Sequence, residues 1–466
     1  GQALDTFVSF LTDRDPQAVM ILRGSAGTGK TSLSGAIVRT LLQIRQKVML
    51  LAPTGRAAKV FSLGSGAPAY TIHRRIYREK AFAGVDGQFS LNDNLYTDTL
   101  FMVDEASMIA NMGLGGTTFG SGCLLDDLVK FVYQGHNDRL LLIGDKAQLP
   151  PVGEEESPAL SASVMEGYGL KVYECDLNEV LRQSQSSGIL YNATLIRQMI
   201  THDAVTGLPL IRFKGFADIV MMPGAELVES LGDSYHHVGM DETMVITRSN
   251  KRANIYNNGI RNMVLDREEE LSSGDMLMIV KNNYFWTEKE KKESGEGSAG
   301  AVPAFLANGD RAKVLRVSNY IELYGFRFAT LLLQLPDYDD YEMQVTGMLD
   351  TLQSEAPALT HEQQEELFRQ VEEDYQHFVP LKADRMKSIR QDAYFNALQI
   401  KYAYAVTCHK AQGGQWAHVY VDQGYMTDDM LTPDYIHWLY TAFTRATDKL
   451  FLVNWPKEQT CEPTDL

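Results

Sequence analysis

Eight residues near the start, Gly24-Ser25-Ala26-Gly27-Thr28-Gly29-Lys30-Thr31, constrain the fold more than any other stretch. They fit G-x-x-x-x-G-K-[ST], follow the apolar run Ala18–Leu22 and open a helical pattern over Lys30–Ile44. A strand that enters such a loop and leaves as a helix belongs to a parallel α/β sheet, whose ligands gather outside the carboxyl ends of the strands. Glycines let the backbone approach an anion, and loop N–H groups with the helix N-terminus meet its charge. Gly24 to Thr31 are therefore expected to bind ATP, with Lys30 reaching the β- and γ-phosphates and Thr31 holding Mg²⁺.

Lys47–Ala52, Leu100–Val103 and Leu140–Ile143 read as further buried strands, each ending where polar residues begin. Leu100–Val103 runs into Asp104-Glu105-Ala106-Ser107. Asp104 is expected to bind the magnesium through water, and Glu105 to orient or deprotonate the attacking water. Leu140–Ile143 runs into Gly144-Asp145-Lys146-Ala147-Gln148-Leu149-Pro150-Pro151-Val152, where Gln148 can sense a γ-phosphate and the prolines stiffen the exit.

The 466 residues allow two to four domains of roughly 100–200 residues each. A second α/β pattern begins after Asp176, with a strand at Met244–Thr247 and a helix at Asn250–Met263. Residues 272–335 read as all-β. A helix is expected at Thr360–Phe378, with Thr360 and Gln363 as a capping box and Leu367, Val371, Tyr375 and Phe378 as an apolar stripe. The α/β pattern resumes at Tyr402 and runs to Val453. This predicts an α/β protein whose second lobe is interrupted by a β-rich and helical insertion. The expected domains are 1–175, 176–265, an insertion at 266–400, and 401–466, with a hairpin insert at 74–98 turning through Gly84-Val85-Asp86-Gly87.

The net charge of −17 argues at first against a nucleic-acid partner. Residues 336–378, however, carry twelve acidic residues and one arginine, a net of −11, so most of the excess lies in one segment. The four cysteines are scattered without a CxxC pair, which suits a reducing compartment, and a cytoplasmic location is expected. No apolar run approaches the roughly 18–20 residues that span a bilayer, so no membrane partner is expected.

The blocks GSAGTGKT, LLAPTGRAAKVF, TIHR, VDEAS, GDKAQLPPV, LNEVLRQ, YAVTCHKAQGGQW and YTAFTRATDKLFLV occur in the order seen in superfamily 1 helicases. Within that superfamily the chain resembles the RecD/Dda group over about Ala18–Val453, most weakly between residues 265 and 395. The resemblance implies two RecA-like P-loop NTPase lobes and a 5′-to-3′ ATP-dependent DNA helicase. It implies γ-phosphate arginines at Arg182 and Arg445, and Gln412 and Gly413 in the same cleft. Pro53, Thr54 and Arg56 would hold a phosphate of single-stranded DNA, with His73 in the next contacting block and Thr407, His409 and Lys410 as the matching element of the second lobe. Asn250, Lys251, Asn257 and Arg261 match the family pattern but read mainly as lobe structure.

In such a protein the 74–98 insert would wedge open a forked duplex, with Tyr77, Phe82, Phe89 and Tyr96 as candidate aromatics. The β-rich insertion, about 266–335, would be a small barrel bracing the DNA, and the acidic segment an elaboration of it. Gln2 is the candidate for the family's adenine-recognising Gln. The family's habit implies a monomer. Two alternatives stay open: an RNA- or RNP-remodelling motor of the same superfamily, and an ATP-switched subunit of a RecD-type nuclease complex.

Overall fold

The computed structural model describes residues 1–79, 89–111, 119–178, 186–201, 207–295 and 302–461. The expected Gly84–Gly87 turn, Phe82 and Arg182 lie outside them. Packing divides the chain into two compact units. One comprises residues 1–227, 241–243 and 411–466; the other comprises 228–240 and 244–410.

In the first unit, strands β1 (Ala18–Gly24), β2 (Lys47–Ala52), β3 (Ala69–Thr71), β6 (Thr99–Val103), β7 (Arg139–Gly144) and β8 (Lys171–Leu177) form one sheet, while β4 (Tyr77–Glu79) and β5 (Phe89–Leu91) pair separately. The sheet order is β3-β2-β6-β7-β1-β8, and every pairing is parallel. The central strands β6 and β7 are buried at every position, because helices cover both faces of such a sheet. The expected strands differ from these by at most two residues at either end. The helix Gln2–Thr12 packs Phe7 and Phe10 into this core beside Met20, Leu22 and Leu141. Gln2 itself is exposed at the start of that helix.

Strand β9 (Ile219–Met222) begins the second RecA-like lobe, whose strands are shared between the units. In the second unit β10 (Thr243–Thr247) pairs in parallel with a later strand, β16. Between them, β11 (Met276–Ile279), β12 (Arg311–Leu323), β13 (Phe326–Leu335), β14 (Tyr341–Met348) and β15 (Leu398–Tyr402) close into a barrel. Strand β16 (Ala405–Thr407) follows, and the chain re-enters the first unit through β17 (Trp416–Asp422) and β18 (Ala446–Val453), where β17, β18 and β9 pair in parallel.

Three readings of the insertion change. The stretch 272–335 is not all strand: a helix at Phe285–Ser294 buries Trp286 and Thr287. Its sequence carries the signal in spaced Glu/Lys pairs, with Glu288–Lys292 at 2.9 Å. The barrel also extends beyond residue 335, because β14 lies inside the acidic segment. There Met343 and Val345 alternate inward and Glu342 faces outward, so part of the acidic segment is a barrel strand and not a solvated helix. The capping box at Thr360 and Gln363 forms, and Leu367 and Val371 are buried, but Phe378 is 81% exposed. The helix stops at Gln376, so its periodicity no longer applies to that ring. No helix among the described residues is long and apolar enough to cross a membrane.

A buried charge cluster pins the barrel to its neighbours within the second unit. Asp275 accepts from Arg261 Nη2 at 2.9 Å and Nε at 3.1 Å, Arg267 Nη1 at 2.7 Å, Tyr404 Oη at 2.6 Å and the Ser272 amide at 2.7 Å. Burial alone would raise its pKa, but the bonds from Arg261 and Tyr404 outweigh it and hold the carboxyl below its ordinary value. Asn257 bridges the Tyr402 and Ala405 carbonyls, which agrees with its reading as lobe structure. Replacing Asp275 with Ala would strand two arginines, and we expect a loss of about 3–5 kcal/mol in urea unfolding. Because the folded-state pKa is depressed, the contribution of Asp275 is present above the unfolded carboxylate value and lost as pH falls through the folded one.

Candidate functional site

The first sheet brings the predicted site together at one edge. The glycine loop leaves β1, the Asp104-Glu105 pair leaves β6 and the Asp145–Gln148 loop leaves β7; in the sheet these strands lie in the order β6-β7-β1. The loop closes tightly. A Cβ on Gly24 would come within 2.8 Å of Thr28 Oγ1 and 3.2 Å of Lys30 Cβ, so only glycine fits. Thr28 is buried and its hydroxyl donates to the Ser25 carbonyl at 2.6 Å. The helix then begins at Lys30, with the Thr31 side chain exposed at its first turn.

Asp104 is buried, and its Oδ1 accepts the Glu105 amide at 2.8 Å. Burial first, then the Glu105 charge, push its carboxyl up to about 6, opposed by Lys30. Asp145 is likewise raised by burial and pulled back by Lys30. Glu105 is held at φ 53°, a left-handed conformation that non-glycine residues adopt at a cost of about 1–3 kcal/mol. Its Oε2, Gln148 Oε1 and Ser25 Oγ are buried and have no hydrogen-bond partner among the described residues. Three unsatisfied polar atoms at one strand edge are expensive unless a polar ligand meets them. Lys30 for phosphate, and a hydroxyl with a carboxylate at Thr31 and Asp104 for a hard cation, fit Mg-ATP. A cleft of about 380 Å³ opens beside the loop, lined by Arg23, Ser25, Asp145, Asp176 and Arg197 among others.

The helix Pro433–Phe443 lies against this edge in the same unit. His437, Tyr440 and Thr441, at helical spacings of three and four, share one face. His437 Nδ1 donates to the Ala147 carbonyl at 2.7 Å and the Leu149 amide donates to Thr441 Oγ1 at 2.8 Å. Tyr440 Oη donates to Asp145 Oδ2 at 2.5 Å and accepts the Ala26 amide at 2.9 Å. Gln412 Nε2 donates to the Leu149 carbonyl at 2.7 Å. Gly413, at φ 78°, brings its backbone so near that an added Cβ would lie 3.1 Å from Thr54 Oγ1. Sequence reasoning passed over Asp145, His437, Tyr440 and Thr441; their signal was the spacing on the helix, legible only once its docking partner is known.

Several predicted residues are placed differently from the contacts expected of them. Arg445 is 2% exposed, and its guanidinium donates to the Gly414 and Thr441 carbonyls and to Thr444 Oγ1. Arg56 stacks 5.1 Å from the Trp416 ring and donates to the Gln415 carbonyl at 2.7 Å. Pro53 is partly buried beside Thr54, whose hydroxyl caps the helix Gly55–Ser65 at the Ala57 amide. His73 lies edge-on to Phe119 at 4.7 Å, and burial lowers its pKa to about 4, so it is neutral at physiological pH.

Of the wedge candidates, Tyr77 is buried with its hydroxyl on Asp127 at 2.6 Å, Tyr96 packs edge-on to Phe101, and Phe89 stacks on Phe119 at 4.8 Å. In the second unit Thr407 is half-buried and His409 exposed, while Lys410 bonds Asn308 and burial lowers its pKa to about 8.

Comparison with known proteins agrees with the order of the blocks. The "AAA domain" family model matches residues 9–206, and the "UvrD-like helicase C-terminal domain" model matches residues 402–453. The ATP-dependent RecD2 DNA helicase of Deinococcus radiodurans is 32% identical over 135 residues, 29% of this chain and 16% of that protein. The ATP-dependent DNA helicase dda of Enterobacteria phage T4 is 25% identical over 267 residues, 55% of each. The chain therefore spans about half of the second relative and a sixth of the first. A solved Pif1 helicase from Bacteroides in complex with ADP-AlF3 and ssDNA is similar over 99% of this chain and 94% of that one, at 14% identity and a TM-score of 0.46. The fold and site define a P-loop ATPase with two RecA-like lobes and an inserted barrel. Over the matched stretches the chain is similar to DNA helicases of superfamily 1, in the RecD/Dda-like group.

Gly24→Ala should force the loop open, because the added Cβ would clash with Thr28 Oγ1 and crowd Lys30 Cβ. We expect about a tenfold or greater loss in affinity for a fluorescent ADP, at unchanged thermal stability.

Proposed function

We propose that this chain is a motor that moves 5′-to-3′ along single-stranded DNA and separates forked duplex, driven by Mg-ATP hydrolysis. The observation that carries this reading is the set of loops on the contiguous strands β6, β7 and β1, which hold Lys30, two carboxylates and Gln148 beside polar atoms that no group among the described residues satisfies. Lys30 binds phosphate, Thr31 and Asp104 hold the ion, and Glu105, with an unpartnered oxygen, orients the attacking water. Bound magnesium would supply neutralisation of the phosphate oxygens. Arg182 and Arg445 complete the charge stabilisation, which requires Arg445 to exchange the bonds described above for phosphate. The DNA substrate and the 5′-to-3′ direction are supported by likeness to the RecD2 and dda helicases. Pro53, Thr54, Arg56, His73, Thr407, His409 and Lys410 are the proposed track, and four cysteines scattered without a CxxC pair fit a cytoplasmic setting.

Lys30→Ala and Glu105→Gln should each reduce DNA-stimulated ATPase by at least about a hundredfold, with ADP binding retained in Glu105→Gln. Full turnover in either would refute the site. Unwinding of forked duplexes carrying 5′, 3′ or RNA tails tests substrate and direction together; we expect activity with a 5′ DNA tail alone. Affinity for the tail should fall as salt rises, as phosphate contacts require, and a flat profile would overturn the track.

A further inference from the structure

The hydroxyl of Tyr440 uses both of its hydrogen-bonding roles within the site. It donates to Asp145 Oδ2 at 2.5 Å and accepts the Ala26 amide of the glycine loop at 2.9 Å. Asp145 Oδ1 accepts the Ala147 amide at 3.0 Å, so this carboxylate ties the tyrosine to the loop after β7. Tyr440 is 1% exposed, and its neighbours on the same helix face, His437 and Thr441, are bonded to Ala147 and Leu149. The ring therefore cannot shift alone. An amide N–H has one proton, and a phosphate oxygen cradled by this loop would compete with the phenol oxygen for it.

We propose that Tyr440 is a nucleotide-responsive positioning residue: its hydroxyl holds the Ala26 amide in place of a phosphate oxygen, is displaced when nucleotide binds, and so transmits occupancy of the glycine loop to the Asp145–Leu149 loop that carries Gln148. This inference rests on the reading of the glycine loop as a nucleotide site. Displacement leaves the bond to Asp145 intact, so the tyrosine and the β7 loop move as one piece with the helix Pro433–Phe443. Nucleotide binding then works against a bond already made, and removing that bond should make binding tighter, the opposite of what loss of a merely structural contact would do.

The test is Tyr440→Phe in the full chain, titrated with a fluorescent ADP and assayed for ATPase with and without oligo-dT. Removing one competing hydrogen bond should tighten ADP binding about threefold to tenfold. It should lower KM for ATP without DNA and diminish the change in KM that DNA produces, with a smaller effect on kcat. Unchanged or weaker ADP binding by a folded variant would overturn the proposal. Should the variant fail to fold, hydrogen exchange on the wild-type chain decides: ADP should alter protection of peptides covering 145–149 and 433–443, and no change there would overturn it. Wild-type protein that binds no ADP would instead sink the nucleotide site itself.

Discussion

The structure depends on one electrostatic arrangement: the ammonium of Lys30 set among carboxylates at the dry edge of a parallel sheet. Burial raises Asp104 and Asp145, and Lys30 opposes the rise at both. Without that cation the edge would hold several desolvated acids with no counter-charge, which is among the costlier things a core can contain. The sheet accepts the cost because strands β6, β7 and β1 are buried along their lengths and present their loops side by side.

The helix Pro433–Phe443 turns this edge into a device with two covalently distant halves. Its residues follow β17, near the end of the chain, yet His437, Tyr440 and Thr441 bond three residues of the loop after β7, and Gln412, just before β17, adds a fourth hydrogen bond to that loop. Such hydrogen bonds are modest singly, and together they make the Asp145–Leu149 loop answer to the helix. Arg445 and Arg56 belong to the same pattern. Both were expected at ligands, and both satisfy backbone carbonyls of the segment Gly414–Gln415. Their partners are groups of the chain itself.

The second unit shows how a barrel can be inserted into an α/β lobe without loss of order. Asp275 gathers two arginines, a tyrosine and an amide at the mouth of β11, and Asn257 ties the helix Asn250–Gly259 to the backbone around β16. Polar groups at such a junction must be fully satisfied, and here they are. The acidic residues that dominate the net charge flank β14, which itself carries Glu342 outward and Met343 and Val345 inward.

The nucleotide edge was legible in the sequence because each of its parts is local: an apolar run, a turn, and polar residues within a few positions of the turn. The α/β class and a β-rich stretch at 272–335 followed from period and turn signals, as did the capping box at Thr360, while the barrel was implied by resemblance. The helix Phe285–Ser294, the strand β14 and the exposure of Phe378 did not. A short helix with few apolar residues and a strand bearing acids on one face look polar when read along the chain alone. The sequence by itself determined the glycine loop, Asp104, Glu105 and Gln148, since backbone approach and strand endings are encoded over a few residues. Only the tertiary structure decided that Tyr440 sits on the Ala26 amide, 414 residues away in the chain, and that Arg445 is buried against the Gly414 and Thr441 carbonyls, because both depend on which helix face meets which loop.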